Sequence, residues 1–72
     1  MSKLPRDLKP KQVLKALQKA GFKIDHVTGS HYVLKKDKFR TIVPFHQSVK
    51  TGTLRVILGQ AGLTVEEFIE LL

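Results

Sequence analysis

Thr28-Gly29-Ser30-His31-Tyr32-Val33-Leu34-Lys35-Lys36 is the stretch on which the fold turns. Gly29-Ser30 is a tight-turn pair, and the residues after it alternate aromatic and branched side chains before closing on lysines, the pattern of a short strand. Upstream, Phe22-Lys23-Ile24-Asp25-His26-Val27 alternates as a strand running into the same turn. Downstream, Lys36-Asp37-Lys38 is a second short turn, and Phe39-Arg40-Thr41-Ile42-Val43 is a third strand, stopped by Pro44. Connections this short favour an antiparallel meander. Val33 shares parity with His31 while Tyr32 and Leu34 take the other side, and the sequence leaves open which face of this strand is buried.

The flanks read as helices. Pro10 suits a first helical turn, Val13, Leu14, Leu17 and Ala20 follow helical spacing, and Gly21 terminates the run. Lys11, Lys15 and Lys19 form a basic ridge on the opposite face. Residues 1–8 are polar and proline-punctuated, and are expected to be a loose lead-in. Residues 45–50 are expected to be a loop. Thr51-Gly52-Thr53 then opens a second helix with Leu54, Ile57, Leu58 and Ala61 as its apolar stripe; Val56 widens that stripe, and Gly62 caps the end. Thr64 and Glu67 are spaced as a capping box and Leu63 with Phe68 as a hydrophobic staple, so a short third helix follows. The order predicts one α+β domain over residues 1–72, with helices on one side of a three-stranded antiparallel sheet.

Composition bounds what such a domain can do. A 72-residue chain buries only about 60% of the surface that its unfolded form exposes. It has no cysteine, which excludes disulfides and thiolate-bound zinc and fits a reducing cytoplasm. No apolar run reaches membrane-spanning length, and Met1–Arg6 lacks a signal-peptide core. Charge is the strongest global signal, with 13 Lys and Arg against 6 Asp and Glu, a net of +7. Residues 1–50 carry +9 and residues 51–72 carry −2. A basic body of this kind suits a phosphate-rich partner, with ionic affinity that falls as salt rises.

The chemistry that remains is limited. His26, His31 and His46 lack metal-ligand spacing, the acids are scattered, and Gly59-Gln60-Ala61-Gly62 is no phosphate loop. RNA, however, carries its own nucleophile in the 2′-hydroxyl, and its cleavage needs only a base, an acid and cations. His31 suits the base or acid role because histidine is the residue type whose unperturbed pKa lies near neutral pH. The structural alternative, which the pattern alone favours, is a histidine that bonds the turn. Lys35 and Lys36 lie on opposite faces of one strand, so only one can share the side of His31. The start of the second helix, with Lys50, Thr51 and Arg55, is a candidate anion site. His46 is expected to be a loop or supporting residue and His26 a strand-surface residue.

Several fragments in order carry a resemblance: Gly21-Phe22, Gly29-Ser30-His31, Val43-Pro44-Phe45-His46, Gly52-Thr53-Leu54-Arg55-Val56-Ile57-Leu58 and Gln60-Ala61-Gly62-Leu63-Thr64. Together they resemble the HicA toxins of HicA–HicB toxin–antitoxin systems. The resemblance implies a double-stranded-RNA-binding-domain-like α-β-β-β-α sandwich, here with a short extra C-terminal helix. It implies a ribosome-independent endoribonuclease that cuts mRNA and is neutralised by a cognate HicB-type antitoxin; the residues themselves point to acid–base chemistry with no metal or other cofactor. The family's functional histidine carries over to His31, with Gly29 and Ser30 as the motif's turn. Many members have a second histidine next, where this chain has Tyr32, and the Asp-Gly turn common in relatives is Asp37-Lys38 here. The expected assignment is therefore His31 as general acid–base, with Lys35, Lys36, Lys50, Thr51 and Arg55 toward RNA phosphate. The alternatives are a non-catalytic module that binds structured RNA through shape and 2′-hydroxyl contacts, and a pure protein-interaction domain.

Overall fold

The computed structural model describes residues 4–45 and 48–72. Its order is α1 (Pro10–Lys19), β1 (Lys23–Thr28), β2 (His31–Lys36), β3 (Phe39–Pro44), α2 (Thr51–Ala61) and α3 (Val65–Leu71). The three strands form one antiparallel sheet in the order β1-β2-β3. This is the α+β, double-stranded-RNA-binding-domain-like arrangement, with α3 as the additional short helix.

The core lies between the sheet and the helices. Val13, Ala16 and Leu17 come from α1, Leu54, Ile57, Leu58 and Ala61 from α2, and Phe68 from α3. They join Leu34 and Val43 from the sheet. Tyr32, partly buried, packs against this cluster, so the Tyr32 and Leu34 side of β2 faces the helices. Val33 is buried as well, yet it stands outside the cluster, on the other face between its cross-strand neighbours His26 and Ile42. A central strand can bury a residue on its open face in this way, which is why parity alone left the choice open.

Three expectations need correction. Residues 4–8 are no loose lead-in: Leu4 and Leu8 are buried, and Leu8 bridges Val49, whose N–H donates to the Leu8 carbonyl at 2.7 Å. Val56 does not extend the buried stripe of α2 but is 59% exposed, because the set at Leu54, Ile57, Leu58 and Ala61 already fills the face that packs. The first strand is not a plain alternation. A register shift between Ile24 and His26 inserts Asp25 as an extra residue opposite β2. Ile24 pairs with Leu34 and Val27 with Tyr32, so both fall on the helix side despite odd spacing.

The ends of the elements follow from local chemistry. The Gln12 side chain accepts a hydrogen bond from the Lys9 N–H at the start of α1. Gly62 closes α2 in the left-handed conformation, φ 71°, with its N–H and that of Leu63 returned to the last turn. Thr64 and Glu67 make the reciprocal capping box at α3, with distances of 2.9 and 3.1 Å. No helix among the described residues is long and apolar enough to cross a membrane.

Candidate functional site

The hairpin between β1 and β2 sets the position of His31. Thr28 and His31 are its last paired residues, leaving Gly29-Ser30 as a two-residue loop. Gly29 has φ 58° and Ser30 does not have a positive φ, the arrangement of a hairpin turn that wants glycine first. The other flank of β2 is tied at the same level. His31 pairs with Pro44, which has no N–H to give, and the ladder is continued by the Phe45 N–H donating to the Ser30 carbonyl at 2.6 Å. Phe45 also stacks on Tyr32, ring centroids 4.1 Å apart and tilted by 34°. His31 is therefore held at the end of a central strand between two others, and its side chain is exposed.

Cross-strand register gives the rest of that face. His31, Val33 and Lys35 share it with Thr28, His26 and Lys23 on one side and Pro44, Ile42 and Arg40 on the other. The side chains are basic at the far end, where Lys23, Lys35 and Arg40 lie abreast, and imidazole-bearing at the near end. Asp25 is the single carboxylate in the three strands. Adjacent strand residues ordinarily point to opposite faces, but the bulge brings Asp25 and His26 to one side. Asp25 Oδ2 lies 2.7 Å from His26 Nδ1 and 3.6 Å from Lys35 Nζ. The hydrogen bond from His26, followed by the Lys35 charge, holds the Asp25 carboxyl below its ordinary range. An ionised carboxylate only accepts, so Nδ1 of His26 carries the proton of this hydrogen bond.

The sequence-predicted residues separate into groups. Gly29, Ser30 and His31 form the turn and strand start, and Lys35 stands on the His31 face four residues along the strand. Lys36 does not join them. It lies on the helix side, where its Nζ donates to the Ala20 carbonyl at the end of α1, beside Gly21. This is the favourable place for a cation on a helix C-terminus. Lys50 and Thr51 are the cap and first residue of α2, and Lys50 Nζ lies 3.9 Å from Asp7 Oδ1. The last turn of α2 lies against the start of β3: Thr41 Oγ1 is 3.3 Å from the Ile57 carbonyl and 3.1 Å from Gln60 Oε1. Since α2 runs back along β3, its N-terminus with Lys50, Thr51 and exposed Arg55 lies toward the Pro44 end, the end of the sheet at which His31 sits. His46 lies outside the described residues.

Asp25, Lys23 and Arg40 were not singled out from sequence. Only the register reveals them, because the bulge that turns Asp25 and His26 to one face is set by the pairing with β2. Among the described residues no three His, Asp or Glu side chains gather as a metal centre would require. The family model described as the HicA toxin of bacterial toxin–antitoxin matches residues 10–63, which takes in α1, the whole sheet and α2. No protein with a curated description matches the chain.

Proposed function

We propose that this chain, which belongs to the HicA toxin family of bacterial toxin–antitoxin systems, is an endoribonuclease that cuts mRNA with His31 as its general acid–base and without a metal. The reading is supported most directly by one arrangement: an exposed imidazole fixed at the head of β2, on a sheet face that carries Lys35, Lys23 and Arg40. The imidazole exchanges a proton with the ribose 2′-hydroxyl or with the leaving oxygen. The lysines and arginine, with the N–H groups at the start of α2, offset the charge that grows on phosphate. Lys35 serves here and Lys36 does not, since Lys36 is engaged on the helix side.

As a toxin of such a system the chain pairs with an antitoxin. We take that partner to be of the HicB type, an acidic protein matching the +9 charge of residues 1–50.

His31→Ala tests the reading. The exposed position predicts an unchanged fold and RNA affinity, and a cleavage rate lower by about 10²–10⁴-fold, the usual worth of a positioned acid–base group. Cleavage of labelled single-stranded RNA by this variant at the wild-type rate would refute the assignment. RNA left intact by the wild-type protein at high concentration would favour the non-catalytic RNA-binding alternative.

A further inference from the structure

A single acid–base group accounts for half of the proton traffic in transesterification. The 2′-oxygen forms a bond to phosphorus and loses its proton, while the bond from phosphorus to the 5′-oxygen breaks and that oxygen gains one. Two groups on opposite sides of the phosphate carry this out most directly. We infer that His26, held by Asp25, is the second proton-transfer group of this site, acting with His31 across one scissile phosphate. The inference rests on the ribonuclease reading above.

Placement carries the argument. His26 pairs with Val33, and His31 is two residues before Val33, so the two histidines are diagonal neighbours on one face of the β1–β2 pair. Such neighbours stand about 7–8 Å apart, within mutual reach of long side chains. A phosphate group fits between two imidazoles at that spacing, with one ring nitrogen on each of its two reacting oxygens. Plain alternation along β1 would instead place His26 on the face of Ile24, toward the helices. The extra residue at Asp25 is what turns it to the His31 face, and bulges re-aim side chains in this way beside active sites.

The second observation is the orientation of the ring. Asp25 Oδ2 accepts from Nδ1 at 2.7 Å, which leaves Nε2 as the nitrogen that can meet substrate. The carboxylate fixes the tautomer and compensates positive charge on the ring, the part an aspartate plays behind a catalytic histidine. Asp25 is thus a positioning residue and His26 the group that meets the reacting oxygen. The charged groups around the pair are Lys35, 3.6 Å from the same Oδ2, with Lys23 beside Lys35 on β1 and His31 on β2. In the reaction, neutral His31 takes the 2′-hydroxyl proton and the His26 imidazolium gives its Nε2 proton to the departing 5′-oxygen. The products are a 2′,3′-cyclic phosphate and a free 5′-hydroxyl.

The test measures single-turnover cleavage of a labelled RNA by the purified full chain and its variants, across pH, alongside binding of the same RNA with 2′-deoxyribose at every position. His26→Ala is expected to cut about 10²–10⁴-fold more slowly, with binding within twofold of wild type and the alkaline limb of the pH–rate profile gone. Asp25→Asn is expected to lose rate as well, with that limb moved to lower pH, and Asp25→Glu to recover most of it. His26→Gln replaces His26→Ala if the latter lowers the melting temperature. His26 variants that cut at the wild-type rate, or that lose rate only in proportion to binding, overturn this inference while a dead His31→Ala leaves the ribonuclease reading standing. A fully active His31→Ala overturns both.

Discussion

Gly62 ends α2 at φ 71°, and a Cβ added there would lie 2.6 Å from Cε1 of Phe39. Gly62→Ala must hold an L-residue in the left-handed region, at about 1–2 kcal/mol, and must displace the Phe39 ring as well. Urea unfolding should show a lower midpoint with an unchanged slope, whereas an unchanged midpoint would mean that the α2–α3 corner relaxes freely. This glycine was legible in sequence because it follows an apolar helical stripe and precedes a capping box. Gly29 was legible for a related reason, since a two-residue hairpin loop needs a positive φ at its first position. Asp37 also takes a positive φ, 53°, at the β2–β3 turn. The facing of Asp25 and His26 was not legible. Their side depends on where β1 slips against β2, and nothing within residues 22–27 marks that slip.

At the scale of elements, α3 shows how far local chemistry reaches. Thr64 and Glu67 announce its first turn in the sequence, and the reciprocal hydrogen bonds are present in the structure. Donation from the Thr64 N–H first, then from the Thr64 side chain, and more weakly the Lys36 charge, hold the Glu67 carboxyl below its ordinary range. Asp25 is lowered in the same sense. A carboxyl lowered on folding stabilises the fold above its unfolded pKa, and that contribution is lost as pH falls through the folded value. Glu67 therefore contributes to a decline in melting temperature below about pH 4.3. Glu67→Gln should be less stable than wild type near neutrality and should lose less on acidification. Parallel melting curves for the two proteins would contradict a stabilising ionised cap. What the sequence could not reveal is long-range: that Leu4 and Leu8 dock through the Leu8–Val49 bridge, and that Val56 is left outside. Both depend on which helix face meets the sheet.

Over the whole molecule, the helices cover one face of the sheet and leave the other to solvent, with basic and imidazole side chains from all three strands. The sandwich was readable from element order because its connections are short. The sidedness followed once register was known, since it divides Lys35 from Lys36 and joins His26 to His31. That division gives the molecule an apolar core on one side of β2 and a candidate reaction surface on the other, built on the same six residues.

The most direct test of this account is the chemistry of the cut ends. Wild-type protein is incubated with a labelled RNA in the presence of EDTA, and the termini are identified. Attack by the 2′-hydroxyl with histidines moving the protons predicts a 2′,3′-cyclic or 3′-phosphate on one fragment and a 5′-hydroxyl on the other, and no cleavage at a 2′-deoxy position. A 5′-phosphate with a 3′-hydroxyl, or cleavage only after a divalent metal is restored, would contradict it.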